Sequence, residues 1–183
     1  MAGTLTVQNI QGPSSGANAN KIIIPSGQTL DASAGSLLPS VDGVVQVKTA
    51  KTTTTSEFTS TTFISTPLSV TITPKYADSI IRLEILSSAF WTSSAANQIY
   101  IYGTIYRNGT NLGVAGPNAL GLFGAHGDYN NYVRPFVFGT EDSPNTTSSV
   151  TYQMYVKASS SSYTSGVNEN RFVNTITATE IKQ

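Results

Sequence analysis

Hydrophobic and polar residues alternate most clearly in residues 98–113, where a predicted strand is apolar on both faces. Neighbouring side chains of a β-strand point to opposite faces of its sheet. The isoleucines of the segment therefore share one face and the tyrosines share the other: Ile99, Ile101 and Ile105 against Tyr100, Tyr102 and Tyr106. Asn108-Gly109 follows, a pair that readily takes positive φ at both central turn positions, and it predicts a tight hairpin.

A strand with two apolar faces needs a cover on each side, whereas an antiparallel sheet commonly buries only one. We expect the isoleucines to face the core, because aliphatic side chains gain most from burial. The tyrosines, each with a polar hydroxyl on an apolar ring, are expected to contact a neighbouring subunit. The alternative, in which the same chain covers both faces, is left open by the pattern.

Similar alternation predicts strands along most of the chain after residue 43. Ile81, Leu83 and Ile85, for example, alternate with Arg82 and Glu84, as in a half-buried strand. The predicted strands are 44–50, 58–66 continuing past a break at Pro67 into 68–73, 80–91, 133–140, 149–158 and 171–181. Seven or eight strands joined by short turns predict an all-β antiparallel sandwich, and a jelly roll in particular.

Three stretches between these strands are predicted as connections. Residues 51–56 are a threonine-rich connector, and residues 159–170 form a loop rich in serine. Residues 115–132 are glycine-rich and long for a loop, so we expect them either to bind a ligand or to be clamped at an interface.

The first forty residues have a different pattern, with short strands at 4–9 and 21–25 separated by turn-forming residues. Nine aliphatic side chains in this stretch are too few to offset the conformational entropy lost when forty residues are ordered. We therefore predict that residues 1–40 form an N-terminal arm that is either braided with copies of itself or docked in a larger assembly, followed by a β-sandwich head at 41–183. The arm residues expected at a subunit interface are Leu5, Val7, Ile22 and Ile24.

Composition narrows the classes of function. Charged residues make up 11% of the 183 residues and cancel to a net charge of zero, which argues against nucleic acid as a partner. Serine and threonine form about a quarter of the chain, which favours strands over helices. The absence of cysteine excludes disulfides and is typical of a protein assembled in the cytoplasm. No segment is apolar enough for membrane insertion.

Candidate catalytic chemistry is sparse, and we expect no enzyme, no cofactor and no metal site. His126 is the single histidine and lacks the partners of a catalytic or metal-binding cluster. Glu141 and Asp142 are adjacent, so their side chains should diverge rather than face one groove as in a glycoside hydrolase.

A binding role is more plausible for aromatic residues on loops, because their rings stack on sugars while neighbouring amides bind hydroxyl groups. The alternative is that these rings pack beneath their own loops or at the subunit contact. The candidates for binding a surface glycan are Trp91, Phe123, Tyr129, Tyr132 and Tyr163.

Three stretches resemble a known family. They are LTVQNIQGPSSGANANKIIIPSGQTLDASAG at residues 5–35, GVVQV at 43–47 and SVTITPKYADSIIRLEI at 69–85. Together they resemble the short tail-fibre and fibre-like structural proteins of tailed bacteriophages, particularly phages of aquatic bacteria. The resemblance is close over the arm and fades beyond about residue 113.

This resemblance implies a homotrimeric virion protein, assembled in the host cytoplasm, whose arm attaches to other virion proteins and whose head faces outward for host adhesion. A capsid decoration protein, or head fibre, is the first alternative, because it differs only in where the arm docks. A carbohydrate-active depolymerase is the second, although the chain is short and poor in acidic residues for that class.

Overall fold

The computed structural model describes residues 13–17, 23, 26, 43–91, 95–113, 118–127 and 133–183. The chain divides into two compact units, Met1–Leu38 and Pro39–Gln183. In the first unit, residues 14–17 form a bend and turn in which Gly16 has a φ of 88°. The predicted arm strands and their interface residues Leu5, Val7, Ile22 and Ile24 lie outside the described residues, so the arm stays a prediction.

The described part of the second unit is built from strands alone. Its eleven strands are β1 (Val44–Thr52), β2 (Ser56–Phe58), β3 (Ile64–Ile72), β4 (Ile80–Trp91), β5 (Ala95–Arg107), β6 (Thr110–Asn111), β7 (Gly121–Gly127), β8 (Arg134–Asp142), β9 (Val150–Ala158), β10 (Ser165–Val167) and β11 (Asn174–Ile181). Within the described residues, no helix is long and apolar enough to cross a membrane.

Two antiparallel sheets form a sandwich, as the alternation predicted. The first sheet has the order β1-β11-β4-β8, with the short strands β10 and β2 added beside the far end of β4. The second sheet has the order β3-β9-β5-β7, with β6 also paired to β5. Successive long strands change sheet at every step except from β5 to β7. This strand order is that of a jelly roll, and the predicted fold class is confirmed.

The core lies between the sheets and is filled mainly by one face of β3, β4, β5, β8, β9 and β11, whereas β1 adds only half-buried residues such as Ala50. In β4, Ile81, Leu83 and Ile85 are fully buried while Arg82 and Glu84 are exposed, as their alternation predicted. In β9 every second residue is buried, from Val150 through Tyr152, Met154 and Val156 to Ala158.

Three features of the connections differ from the sequence predictions. Residues 115–132 are not one loop, because β7 lies within them, and the predicted loop 159–170 contains β10. The connector at 51–56 is also shorter than predicted, since β1 continues to Thr52 and β2 begins at Ser56. Pro67 does not end its strand; β3 continues through it, with a register shift between Ser65 and Ser69 that supplies the expected bend.

Polar side chains join the two sheets at one end of the sandwich. The Tyr152 hydroxyl in β9 donates a hydrogen bond to Asp142 Oδ2 in β8 at 2.7 Å. Arg107 Nη1 at the end of β5 donates to both carboxylate oxygens of Asp142, at 2.9 and 3.1 Å. A charge-assisted network of this kind ties strands of opposite sheets at a fixed distance.

Candidate functional site

The outer face of the second sheet carries the row of tyrosines that the sequence predicted. Ile99, Ile101 and Ile105 of β5 are buried in the core, at 3%, 0% and 0% exposure. The tyrosines of β5 point the other way and are half-buried: Tyr100, Tyr102 and Tyr106. The alternation of β5 therefore placed both sets of side chains on the correct faces.

Neighbouring strands extend this row into a larger surface, because residues opposite one another in paired strands lie on the same face. Tyr155 of β9 stacks on Tyr106 with ring centroids 3.9 Å apart. The ring of Phe63 meets Tyr106 edge-on at 6.3 Å. We call this surface the tyrosine face, consisting of Tyr100, Tyr102, Tyr106, Tyr155, Phe63, Leu122 and Lys157.

Lys157 and Leu122 complete the tyrosine face on either side of Tyr102. The Lys157 ammonium lies 4.6 Å from the ring centroid of Phe63 and 5.4 Å from that of Tyr102, where cation–π attraction stabilises it. Leu122 of β7 lies directly opposite Tyr102 and is 60% exposed. The face is thus apolar and aromatic, with one cation held against its rings.

The sequence analysis missed four members of this face. Tyr155 and Lys157 had a usable signal, since they alternate with the buried Met154 and Val156 in a strand that was predicted. Leu122 was missed because β7 was taken for a loop. Phe63 was predicted inside a strand at 58–66, but it lies in the connection between β2 and β3, where strand periodicity does not set the direction of a side chain.

The proposed glycan-binding aromatics do not form one exposed surface among the described residues. Trp91 is not on a loop: it is the last residue of β4 and is only 5% exposed. It packs with Ile99, Phe123 and Tyr163 in a small second cluster, and its ring lies 5.5 Å from that of Phe123. Phe123 and Tyr163 are half-buried there, whereas Tyr129 and Tyr132 lie outside the described residues.

The chain matches no protein-family model and no curated protein. It is similar to solved capsid-protein structures. One is VP2 of infectious bursal disease virus in a subviral particle, with a TM-score of 0.38 and 16% identity over 93% of this chain and 45% of that chain. Another comes from the T13 particle of the same virus, with a TM-score of 0.37 and 14% identity over 86% and 41%. The chain spans less than half the length of either.

The carboxylates considered for glycoside hydrolysis lie on opposite faces at the end of β8, and each is paired with an arginine. Glu141 forms an exposed ion pair with Arg82 at 2.9 Å. Asp142 points between the sheets to Arg107. Their side chains diverge as expected, because both residues belong to β8 and neighbouring side chains of a strand point to opposite faces.

In the part of the chain that the structure describes, no three His, Asp or Glu side chains lie close enough together to hold a metal ion. His126 belongs to β7, but its side chain lies outside the described ones. The expectation of no metal site therefore stays a prediction.

Proposed function

We propose that this protein is a structural component of a virus particle, a homotrimeric fibre-like module of a tailed bacteriophage. In this proposal the N-terminal arm attaches to other virion proteins, and the jelly-roll body faces outward for host adhesion. The sequence resemblance over residues 5–35, 43–47 and 69–85 supports the phage assignment.

The observation that carries the proposal is the tyrosine face. It is a broad aromatic surface on the outside of a sandwich whose core is already filled by other side chains. Aromatic residues are enriched in contacts between proteins, where their rings bury large areas. Tyr100, Tyr102 and Tyr106 are therefore assigned to the contact between subunits, together with the arm residues Leu5, Val7, Ile22 and Ile24.

The oligomeric state tests the first part of this proposal. We expect the purified full-length chain to be a trimer by light scattering coupled to size-exclusion chromatography, across protein concentrations. A chain lacking residues 1–40 should form the trimer less tightly, because the arm contributes part of the contact. A full-length chain that is monomeric at all concentrations would contradict the proposal.

Electron microscopy of whole particles tests the location. A bound antibody fragment against the body should lie at the tail if the protein is a tail fibre, and on the shell if it decorates the capsid. The depolymerase alternative predicts release of sugars from a host surface polysaccharide. Glu141 and Asp142 are each paired with an arginine and do not face one groove, so they give this alternative no support.

A further inference from the structure

Asn108 and Gly109 form the tip of the hairpin between β5 and β6, and both residues are exposed to solvent. No other asparagine of the chain is followed by glycine. Such a pair is chemically reactive, because glycine has no side chain to shield its nitrogen from the amide of the preceding asparagine. The surrounding structure does not shield it either, since a Cβ added to Gly109 would meet no atom within 4 Å.

The reaction open to this pair is the loss of ammonia from the side chain, and its only co-reactant is water. The Gly109 nitrogen attacks Asn108 Cγ, so that a new N–Cγ bond forms and the Cγ–Nδ2 bond breaks. Nδ2 leaves as ammonia and takes up, through water, the proton that the Gly109 nitrogen gives up. Water then opens the resulting five-membered imide. Opening at Cγ gives aspartate, whereas opening at the backbone carbonyl gives isoaspartate, in which the main chain runs through the former side chain.

The folded turn holds the two reacting atoms apart. Asn108 and Gly109 have φ values of 45° and 88° and lie between the paired residues Arg107 and Thr110, which defines a two-residue type I′ turn. In this turn ψ of the first central residue is about 30°. The Gly109 nitrogen then lies nearly opposite Asn108 Cβ across the Cα–C bond, whereas the imide ring needs both on the same side. The ring therefore cannot close until the backbone of the turn rotates.

Two hydrogen bonds to β9 hold Asn108 in this conformation. The Asn108 N–H donates to the Thr151 carbonyl oxygen at 3.0 Å, and the Thr151 N–H donates to Asn108 Oδ1 at 2.9 Å. The first bond fixes the backbone of Asn108, and the second fixes the amide group that would be attacked. Rotation about ψ of Asn108 would also separate Arg107 from its partner Thr110. The reaction therefore requires the hairpin to open.

Asn111 in β6 holds the second arm of the hairpin in place. Its Oδ1 atom accepts from the Thr104 hydroxyl at 2.6 Å and from the Gly113 N–H at 2.8 Å. Its Nδ2 atom donates to the carbonyl oxygen of Asn118 at 3.0 Å. Asn111 thus ties β6 and the residues after it to β5. It lies outside the reactive pair, so it can be replaced without changing the chemistry of that pair.

We propose that Asn108 is a modification site, deamidated by water when the hairpin between β5 and β6 opens and protected while the hairpin is closed. Aspartate at this position keeps an oxygen for the Thr151 N–H. Isoaspartate instead adds one atom to the main chain of a two-residue turn, so β5 and β6 cannot pair again in the same register. A transient opening of the hairpin is thereby converted into a permanent change of the chain.

Peptide mass spectrometry tests this proposal on the full-length chain, incubated in mildly alkaline buffer either folded or unfolded in guanidinium chloride. The method detects the exchange of the side-chain nitrogen for oxygen, and chromatography separates isoaspartate from aspartate. The unfolded chain should deamidate at Asn108 faster than the folded chain by about tenfold to a thousandfold, because a minor open state is populated at about 0.1–10%. Equal rates in the two states would overturn the proposal.

Asn145 is the internal control for the chemistry. It is exposed and has a positive φ of 52°, but it is followed by Thr146, whose branched side chain shields the attacking nitrogen. Asn145 should therefore react far more slowly than Asn108 in the unfolded chain. An unfolded chain in which Asn108 reacts no faster than Asn145 would show that Asn108 is not a modification site.

The variant Asn111→Ala tests the protection by the hairpin. It should raise the rate at Asn108 in the folded chain by about two- to tenfold, the effect that one lost hydrogen bond has on an equilibrium. Asn170→Ala is the matched control, at an exposed turn between β10 and β11, and should leave the rate unchanged. Circular dichroism reports whether each variant is folded. A folded Asn111→Ala with the wild-type rate overturns the protection; an unfolded one must react as fast as the wild type in guanidinium chloride, and a slower rate equally overturns it.

Discussion

Glu180 is a carboxylate with no exposed surface, and burying such a group is costly unless it is fully hydrogen-bonded. Its Oε1 atom accepts from the backbone N–H groups of Lys75 and Tyr76, at 2.7 and 3.1 Å, and from the Ser79 hydroxyl at 2.8 Å. Gln46 Nε2 donates to Oε2 at 2.6 Å. Glu180 in β11 therefore holds the connection between β3 and β4 against the first sheet.

Replacing Glu180 by alanine should lower the free energy of unfolding by about 3 kcal/mol, because several donors would lose a charged acceptor. Urea denaturation at neutral pH measures this change. The control is Glu84→Ala, at an exposed position of β4, which should change the free energy of unfolding by less than about 0.5 kcal/mol. Similar values for the two variants would show that the buried carboxylate does not hold the connection.

Tyr152 gives the body a dependence on alkaline pH. Burial raises the pKa of its phenol, and the hydrogen bond to Asp142 raises the pKa further. In the unfolded chain the tyrosine pKa is about 10. The unfolded chain therefore loses this proton first, so the stability from Tyr152 is complete below about pH 10 and declines as the pH rises above it.

The variant Tyr152→Phe should be less stable than the wild type at pH 8, by about 1–2 kcal/mol, since it lacks the hydrogen bond to Asp142. Above pH 10 the difference in free energy of unfolding between the two proteins should narrow by about 1.4 kcal/mol per pH unit. The reason is that Tyr152 ionises in the unfolded wild type, whereas the variant has no phenol at this position. Urea denaturation between pH 8 and 11 measures both curves. If the free energies of unfolding of the two proteins fell in parallel above pH 10, the raised pKa of Tyr152 in the folded chain would be contradicted.

Among the elements, the hairpin between β5 and β6 is the one that local sequence specifies most directly. Asn108 and Gly109 have φ values of 45° and 88°, as predicted for this residue pair. Asn108 also bonds to the neighbouring strand: its Oδ1 atom accepts from Thr151 N–H at 2.9 Å. The turn therefore positions β5 beside β9 as well as reversing the chain.

Gly109→Ala tests the backbone requirement of this turn, because an added Cβ would meet no atom within 4 Å. The cost should come from the positive φ alone, about 1 kcal/mol. Thermal unfolding should show a decrease in Tm of about 2–4 °C. Thr110→Ala, at the next exposed position, is the control; an unchanged Tm for Gly109→Ala would mean that the turn relaxes without cost.

Strand prediction succeeded where side chains alternate and failed where glycines replace them. β4 was predicted with its observed bounds, because Ile81, Leu83 and Ile85 mark one face. β7 was missed because it contains three glycines, and glycine is depleted in strands and has no side chain to show an alternating pattern. The structure explains one of these glycines by close approach: a Cβ on Gly121 would lie 2.6 Å from the ring of Phe138, a residue of the opposite sheet. No local pattern reveals that neighbour.

At the scale of the whole molecule, the sequence predicted the class of fold and one row of the candidate site. The number and length of strands indicated a jelly roll, but pairings such as β1 with β11 join residues too distant for periodicity to detect. The tyrosines of β5 were predicted on one face, whereas Tyr155 joins them only through the register of β9 with β5.

The position of β11 constrains how the protein can be made. It lies between β1 and β4, with Val44 at the start of the body paired to Ile181 near its end. During synthesis β1 therefore has no partner on this side until every other strand of the body has been made. Until then the edges of β1 and β4 are both open, and nascent chains translated close together on one messenger can pair with each other at those edges.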